Sequence, residues 1–271
     1  MQLTRDNYHS TDANQQYMSV SQFKGWADCP ARKRAELAGQ WEDEDRTALL
    51  VGSYVDLALT GTPEELDAWT LAHGGDVFLK SGKAKKAPFV NADAMIAKAR
   101  NDSLFMEYLT GEHQVILTGM LYDIEWRCMI DVLDIEANRY VDLKTTANMA
   151  EYTWSNVHRA RVPFYEAFNY WMQLAVYKEL IDYNYNVRPE AYIAALSKQE
   201  PPDIDIFVFA NYDRFQEELA CIGRVIDKVI AWKAGDVDAP ACGRCAYCRS
   251  IKTASVVEAA NLPPTPKNAY E

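Results

Sequence analysis

The sequence predicts an α/β protein with a mixed central sheet flanked by helices. Three observations carry that expectation. Apolar residues recur at helical spacing up to about residue 109, the pattern switches to strand alternation across 114–145, and helical and strand patterns then follow one another to residue 233. The 271 residues are 49% hydrophobic, enough for one large domain. That domain is expected over 19–250, between a polar lead-in (1–18) and a flexible tail (251–271).

Residues 1–18 are polar and read as a loose lead-in. Ser19 or Ser21 can cap a helix through Phe23 and Trp26 to Leu37. Residues 46–60 read as a helix with Leu49, Leu50, Val55, Leu57 and Leu59 as core candidates. Thr62 caps a further helix, with Pro63 at its first position. The Gly- and Lys-rich stretch 74–90 reads as a mobile loop, and 91–109 as one or two helices. Gln114–Asp123, Trp126–Ile135 and Tyr140–Thr145 read as three strands of a meander. Helical spacing returns over 149–158 and 163–183, strands over 190–197 and 204–210, and a long helix over 211–233. The tail, with Pro263-Pro264 and Pro266, reads as mobile.

The formal net charge of −11 argues against a protein that coats nucleic acid through a general positive field, though not against a local basic groove. Arg32-Lys33-Arg34, the lysines at 80, 83, 85 and 86, and Arg159 with Arg161 are basic clusters whose simplest reading is solvated surface. No apolar run approaches the roughly 20 residues that cross a bilayer, and MQLTRDNYHS lacks the layout of a signal peptide. A cytoplasmic protein without membrane contact is expected. Without a secretory signal, the six cysteines do not read as a disulfide framework. Cys242, Cys245 and Cys248 form C-x2-C-x2-C, which reads as metal or cluster ligation, while Cys128 and Cys221 read as small buried side chains.

The most informative segment runs from Met129 to Thr146. Alternation puts Tyr140, Asp142 and Lys144 on one strand face and Val141 and Leu143 on the other. With a turn at Glu136–Arg139, Ile135 faces Tyr140, Leu133 faces Asp142 and Asp131 faces Lys144, so two carboxylates and an ammonium share a patch. That set suits phosphodiester hydrolysis. Asp131 and Asp142, with the carbonyl of Leu143, offer hard oxygen ligands to Mg²⁺ or Mn²⁺, and Lys144 can orient water or stabilise the transition state.

The Asp followed by Asp-x-Lys resembles the PD-(D/E)XK nuclease motif, as found in its RecB/RecE-like branch; the usual proline is replaced, since Met129-Ile130 precede Asp131. Gln173-x3-Tyr177 matches that branch, with Tyr165 and Asn169 extending its polar stripe, and the resemblance places Gln173 and Tyr177 at the DNA strand. Gly52-x3-Asp56 resembles the branch's G-x3-H motif with Asp56 in the metal-binding histidine's place. A further acid is expected from the strand near Glu112 and Glu125. Cys29, in the segment from Ser19 to Arg32, together with Cys242, Cys245 and Cys248 resembles the split four-cysteine set of AddB-like nucleases. That implies a [4Fe–4S] cluster, with Zn²⁺ as the alternative. The resemblance spans about 19–250. It implies a restriction-endonuclease-like fold and a metal-dependent exonuclease on double-stranded DNA ends, encoded by a phage or prophage. It also implies a single-strand annealing protein as partner and ring-like homo-oligomers. The digestion that the resemblance implies is ATP-independent, and no G-x4-G-K-[ST] motif of an attached ATP motor occurs. Two other readings stay open: a restriction or defence endonuclease, and a catalytically weak DNA-binding assembly factor.

Overall fold

A computed structural model describes residues 1–42, 46–155, 158–254 and 256. The chain divides into two compact units. The first comprises Met1–Asp43, Thr118–Arg127 and Asp213–Glu271, and the second Glu44–Leu117 and Cys128–Tyr212.

In the first unit, residues 1–18 are not a loose lead-in. Ser10 caps helix α1 (Thr11–Gln16), and Tyr8, Ala13, Tyr17 and Met18 are buried. Met18 bridges to Trp126, donating its N–H to Glu125 O at 2.8 Å and accepting from Arg127 N at 2.8 Å. Backbone pairing of this kind satisfies polar groups that a polar-looking segment would otherwise leave to water. Ser19 caps α2 (Val20–Asp28), as expected, but the helix does not continue to Leu37. Pro30 disfavours helical backbone at the residue before it, and Cys29 is extended at φ −153°, ψ 96°. Helix α3 (Pro30–Leu37) therefore restarts with proline at its first turn and the Cys29 sulfur as its cap.

In the second unit, α4 (Thr47–Thr60) and α5 (Pro63–Ala72) match the expected helices, and Thr62 with Glu65 completes a capping box on α5. The expected loop at 74–90 instead holds α6 (Gly74–Val77) and a Phe78–Lys85 bridge, anchored by the fully buried Val77. Helices α7 (Ala87–Arg100) and α8 (Ser103–Tyr108) follow, then strands β1 (Glu112–Leu121), β2 (Ile124–Asp134) and β3 (Arg139–Thr146). Over 149–158 the expected helix is absent among the described residues: β4 (Thr153–Ser155) pairs with β5 (Ala160–Val162). Thr153 and Trp154 are strand formers, and their propensity wins where no buried helical stripe opposes it. The expected helix over 163–183 is two, α9 (Phe164–Ala167) and α10 (Tyr170–Tyr185), separated by Asn169 at φ 54°. Asparagine tolerates that left-handed conformation. Strands β6 (Glu190–Ser197) and β7 (Ile204–Phe209) follow, and the last helices, α11 (Tyr212–Ala234) and α12 (Ala246–Ser250), fall in the stretch that belongs to the first unit.

The five-stranded sheet has the order β1-β2-β3-β6-β7. β3 runs parallel to β6, while β2 and β7 run antiparallel to their neighbours, so the sheet is mixed. Val132, Val141, Leu143 and Leu196 join one core with residues of α4 and α7, each such side chain contributing about 1.5–3 kcal/mol on full burial. On the opposite face, Tyr140 OH donates to Leu174 O of α10 at 2.7 Å. The sheet is therefore flanked by helices, and β3 is buried on both faces. No helix among the described residues is long and apolar enough to cross a membrane.

Candidate active site

The register between β2 and β3 differs from expectation by two residues. Leu133 pairs with Tyr140 and Val132 with Val141, and one step further places Asp131 beside Asp142 rather than beside Lys144. A slip of two preserves the alternation of faces, so the expected patch forms. Asp131 Oδ2 accepts from the Leu143 amide at 2.7 Å, which locks its carboxylate onto β3. Lys144 Nζ lies 2.5 Å from Asp142 Oδ2 and 5.4 Å from the centre of the Tyr170 ring. From α10, Gln173 Nε2 donates to Asp142 Oδ1 at 2.8 Å and to Tyr177 OH at 3.2 Å. Gln173 and Tyr177 thus sit one turn apart on the face that meets the carboxylates.

Asp56 reaches the same place from α4. Its Oδ2 accepts from Gln114 Nε2 at 2.7 Å, and that amide also faces Asp131 Oδ1 at 3.5 Å. Thr60 donates to Asp56 Oδ1 at 3.1 Å. Gln114 takes the place expected of a further acid. Glu112 is exposed, and Glu125 accepts from Gln16 at 3.0 Å. Sequence reasoning passed over Gln114 because its placement depends on a left-handed backbone at φ 54°, which re-aims the side chain. It also passed over Tyr170, although Tyr170 precedes Gln173 and Tyr177 by three and seven residues on one helix. Tyr165 and Asn169 do not extend that stripe: Tyr165 lies on α9 against Phe207 and Phe209, and Asn169 is the break before α10.

The four predicted thiols of the first unit also converge. The sulfurs of Cys29, Cys242, Cys245 and Cys248 all lie within 4.8 Å of one another. Among the described residues this is the only group of three or more His, Cys, Asp or Glu side chains placed to share one ion. Cys128 is buried as expected, whereas Cys221 is half-buried beside Arg224. Among the basic clusters, Lys85 pairs with Asp93 at 2.7 Å, and Arg32 pairs with Asp28 and Glu36 at 3.1 and 3.2 Å.

The comparisons with known proteins bear on the family and the fold. The model of a family described as a PDDEXK-like domain of unknown function, DUF3799, matches residues 19–251. The chain belongs to this PDDEXK-like family. A crystal structure from Eubacterium rectale, described as that of a "putative exonuclease", superposes with a TM-score of 0.86 at 33% identity, over 96% of this chain and 97% of that one. The structure of SSO0001 gives a TM-score of 0.33 at 13% identity over 89% of this chain and 100% of that one, and no argument rests on it. No match was found among curated proteins. The family and the Eubacterium rectale structure together support a nuclease.

The electrostatics of the candidate site follow from burial. Desolvation raises the Asp131 carboxyl well above its usual range, and the nearby Asp142 and Asp56 raise it further. Burial likewise raises Asp56, against the opposing pull of Thr60 and Lys144. Burial alone would lower Lys144, but the attraction of Asp142 and Asp131 outweighs it and holds the ammonium above its ordinary value. Burial pushes Tyr170 up to about 12. Asp142 Oδ2 is buried against the Lys144 ammonium. That carboxylate oxygen, beside two carboxyls that burial holds protonated more readily than usual, belongs to a donor set that a hard divalent cation fits.

Proposed function

We propose that the protein is a divalent-metal-dependent exonuclease that hydrolyses linear double-stranded DNA from its ends without ATP. In this reading it works in phage-type recombination beside a single-strand annealing protein. The observation that carries it is the convergence of Asp56, Asp131, Asp142, Lys144 and Gln173 around one buried carboxylate pair. The description of the Eubacterium rectale relative and the Gln173-x3-Tyr177 helix favour an exonuclease over an endonuclease.

Asp131 and Asp142, with Asp56 and the Leu143 carbonyl, would hold Mg²⁺ or Mn²⁺. Such an ion, when bound, makes a coordinated water more acidic and offsets the charge of the scissile phosphate. Lys144 stays an ammonium near neutral pH and donates to the attacking water or to the phosphate oxygen that gains charge. Gln173 fixes the Asp142 carboxylate through Oδ1 and leaves Oδ2 toward Lys144. The Leu143 amide holds Asp131 in the same way. Tyr177 lies beside Gln173, where a DNA strand would pass.

Linear and closed circular DNA, each incubated with the protein in Mg²⁺ or Mn²⁺, test the proposal. Loss of linear DNA alone is expected; cutting of circles would make the protein an endonuclease, and loss of neither would leave a binding factor. Lys144→Ala should lower the rate by about 10²-fold or more while circular dichroism stays that of the wild type. Digestion by that variant at the wild-type rate would remove Lys144 from the chemistry.

A further inference from the structure

We propose that Cys29, Cys242, Cys245 and Cys248 hold a single tetrahedral Zn²⁺ ion and not the four-iron cluster that the sequence resemblance implies. Sulfur spacing separates the two. Four thiolates on one zinc ion occupy the corners of a tetrahedron about 2.3 Å from the metal, so neighbouring sulfurs stand about 3.8 Å apart. In a [4Fe–4S] cluster each thiolate binds a different iron at an alternate corner of a cube, which spreads the sulfurs to about 6 Å. In this protein Cys29 and Cys248 are 3.6 Å apart, Cys245 and Cys29 3.7 Å, and Cys242 and Cys248 3.8 Å. The whole set lies within 4.8 Å, and all four thiols are free. A cube of irons and sulfides does not fit among sulfurs at that spacing, whereas one ion does.

The backbone around the thiols fits the same occupant. Arg32 N donates to Cys29 Sγ, Cys245 N to Cys242 Sγ and Cys248 N to Cys245 Sγ, each at 3.4 Å. Amide donors of this kind spread the negative charge of metal-bound thiolates and fix their orientation. The two-residue gaps of C-x2-C-x2-C produce them, because each following cysteine returns its own amide to the sulfur before it. Pro30 holds Cys29 extended, so its sulfur caps α3 and points at the other three. Cys29 is fully buried, Cys248 is 4% and Cys242 9% exposed, and Cys245 is half-buried, so the thiols are largely withdrawn from solvent within the first unit, packed by Ala31 and Tyr247.

The test uses the full chain, expressed without added metal and purified anaerobically so that a cluster would survive. The expected result is about one zinc per chain, no acid-labile sulfide and a colourless protein. After zinc is exchanged for cobalt, the intense visible bands of tetrahedral thiolate-bound Co²⁺ should appear. Cys245→Ser should lower the zinc content and the unfolding temperature. Because that variant can fail to fold, cobalt spectroscopy on the wild-type chain carries the test alone. Iron with matching sulfide at about four per chain overturns the proposal. So does a single iron without sulfide, or a chain that binds neither zinc nor cobalt. The metal readout is independent of DNA digestion, so a zinc-loaded but inactive protein would count against the proposed nuclease activity and leave this site standing.

Discussion

Gln173 shows how one amide can set the chemistry of a neighbouring acid. Its Nε2 is 2.8 Å from Asp142 Oδ1, so it positions the carboxylate rather than touching the reacting atoms. Gln173→Leu is expected to raise the Mg²⁺ concentration for half-maximal digestion by about 10–100-fold, the usual effect of losing an outer-shell partner. A variant with unchanged metal dependence would return Gln173 to the DNA-contacting role that the sequence resemblance implies. Asp131 and Asp56 add a dependence on pH. Both carboxyls are raised in the folded chain, mainly by burial. Their contribution to metal-free stability is therefore present at low pH and lost as pH rises through the raised values. A divalent ion competes with those protons. The increase in unfolding temperature on adding Mg²⁺ should accordingly be larger at about pH 8 than at about pH 6, as measured by thermal melts. Equal increments would mean that the ion does not bind these carboxyls.

Elements were legible where one periodicity dominated and hidden where a single residue decided. The face shared by Tyr140, Asp142 and Lys144 was readable from alternation alone, and it survived a two-residue slip because parity was kept. The breaks at Cys29-Pro30 and at Asn169 each rest on one residue's backbone preference inside an otherwise helical pattern. Gln114 and Tyr170 were illegible as site residues because the first depends on a positive φ and the second on packing between α10 and β3. The cysteines were the reverse case: their scarcity and tight spacing marked them despite the distance along the chain. Gly111 adds a test at this scale. It enters β1 at φ 146°, and a Cβ there would stand 2.7 Å from the Leu133 carbonyl. Gly111→Ala should destabilise the protein by about 1–3 kcal/mol in urea unfolding, the cost of a forced backbone conformation. An unchanged midpoint would mean that β1 enters the sheet by a different path.

At the level of the whole molecule, a net charge of −11 and a DNA substrate are compatible only if attraction is local. The two candidate metal sites divide the labour by ligand chemistry: carboxylate oxygens for a hard, exchangeable ion, and thiolates for a soft, retained one. EDTA should stop digestion and excess Mg²⁺ should restore it within the assay, with the fold kept throughout, as circular dichroism would show. Unfolding on chelation would mean that a structural ion, at the carboxylates or at the four thiolates, had left with the exchangeable one, and metal analysis of the chelated protein would tell the two apart. The meeting of Cys29 with Cys248, 219 residues apart, also bears on biosynthesis. The first unit is assembled from three stretches of sequence, so a ribosome must release nearly all of the polypeptide before that unit can close. Until then Cys29 waits without its partners, exposed to oxidants and to stray metals. Supply of the right ion at that moment becomes part of making the protein.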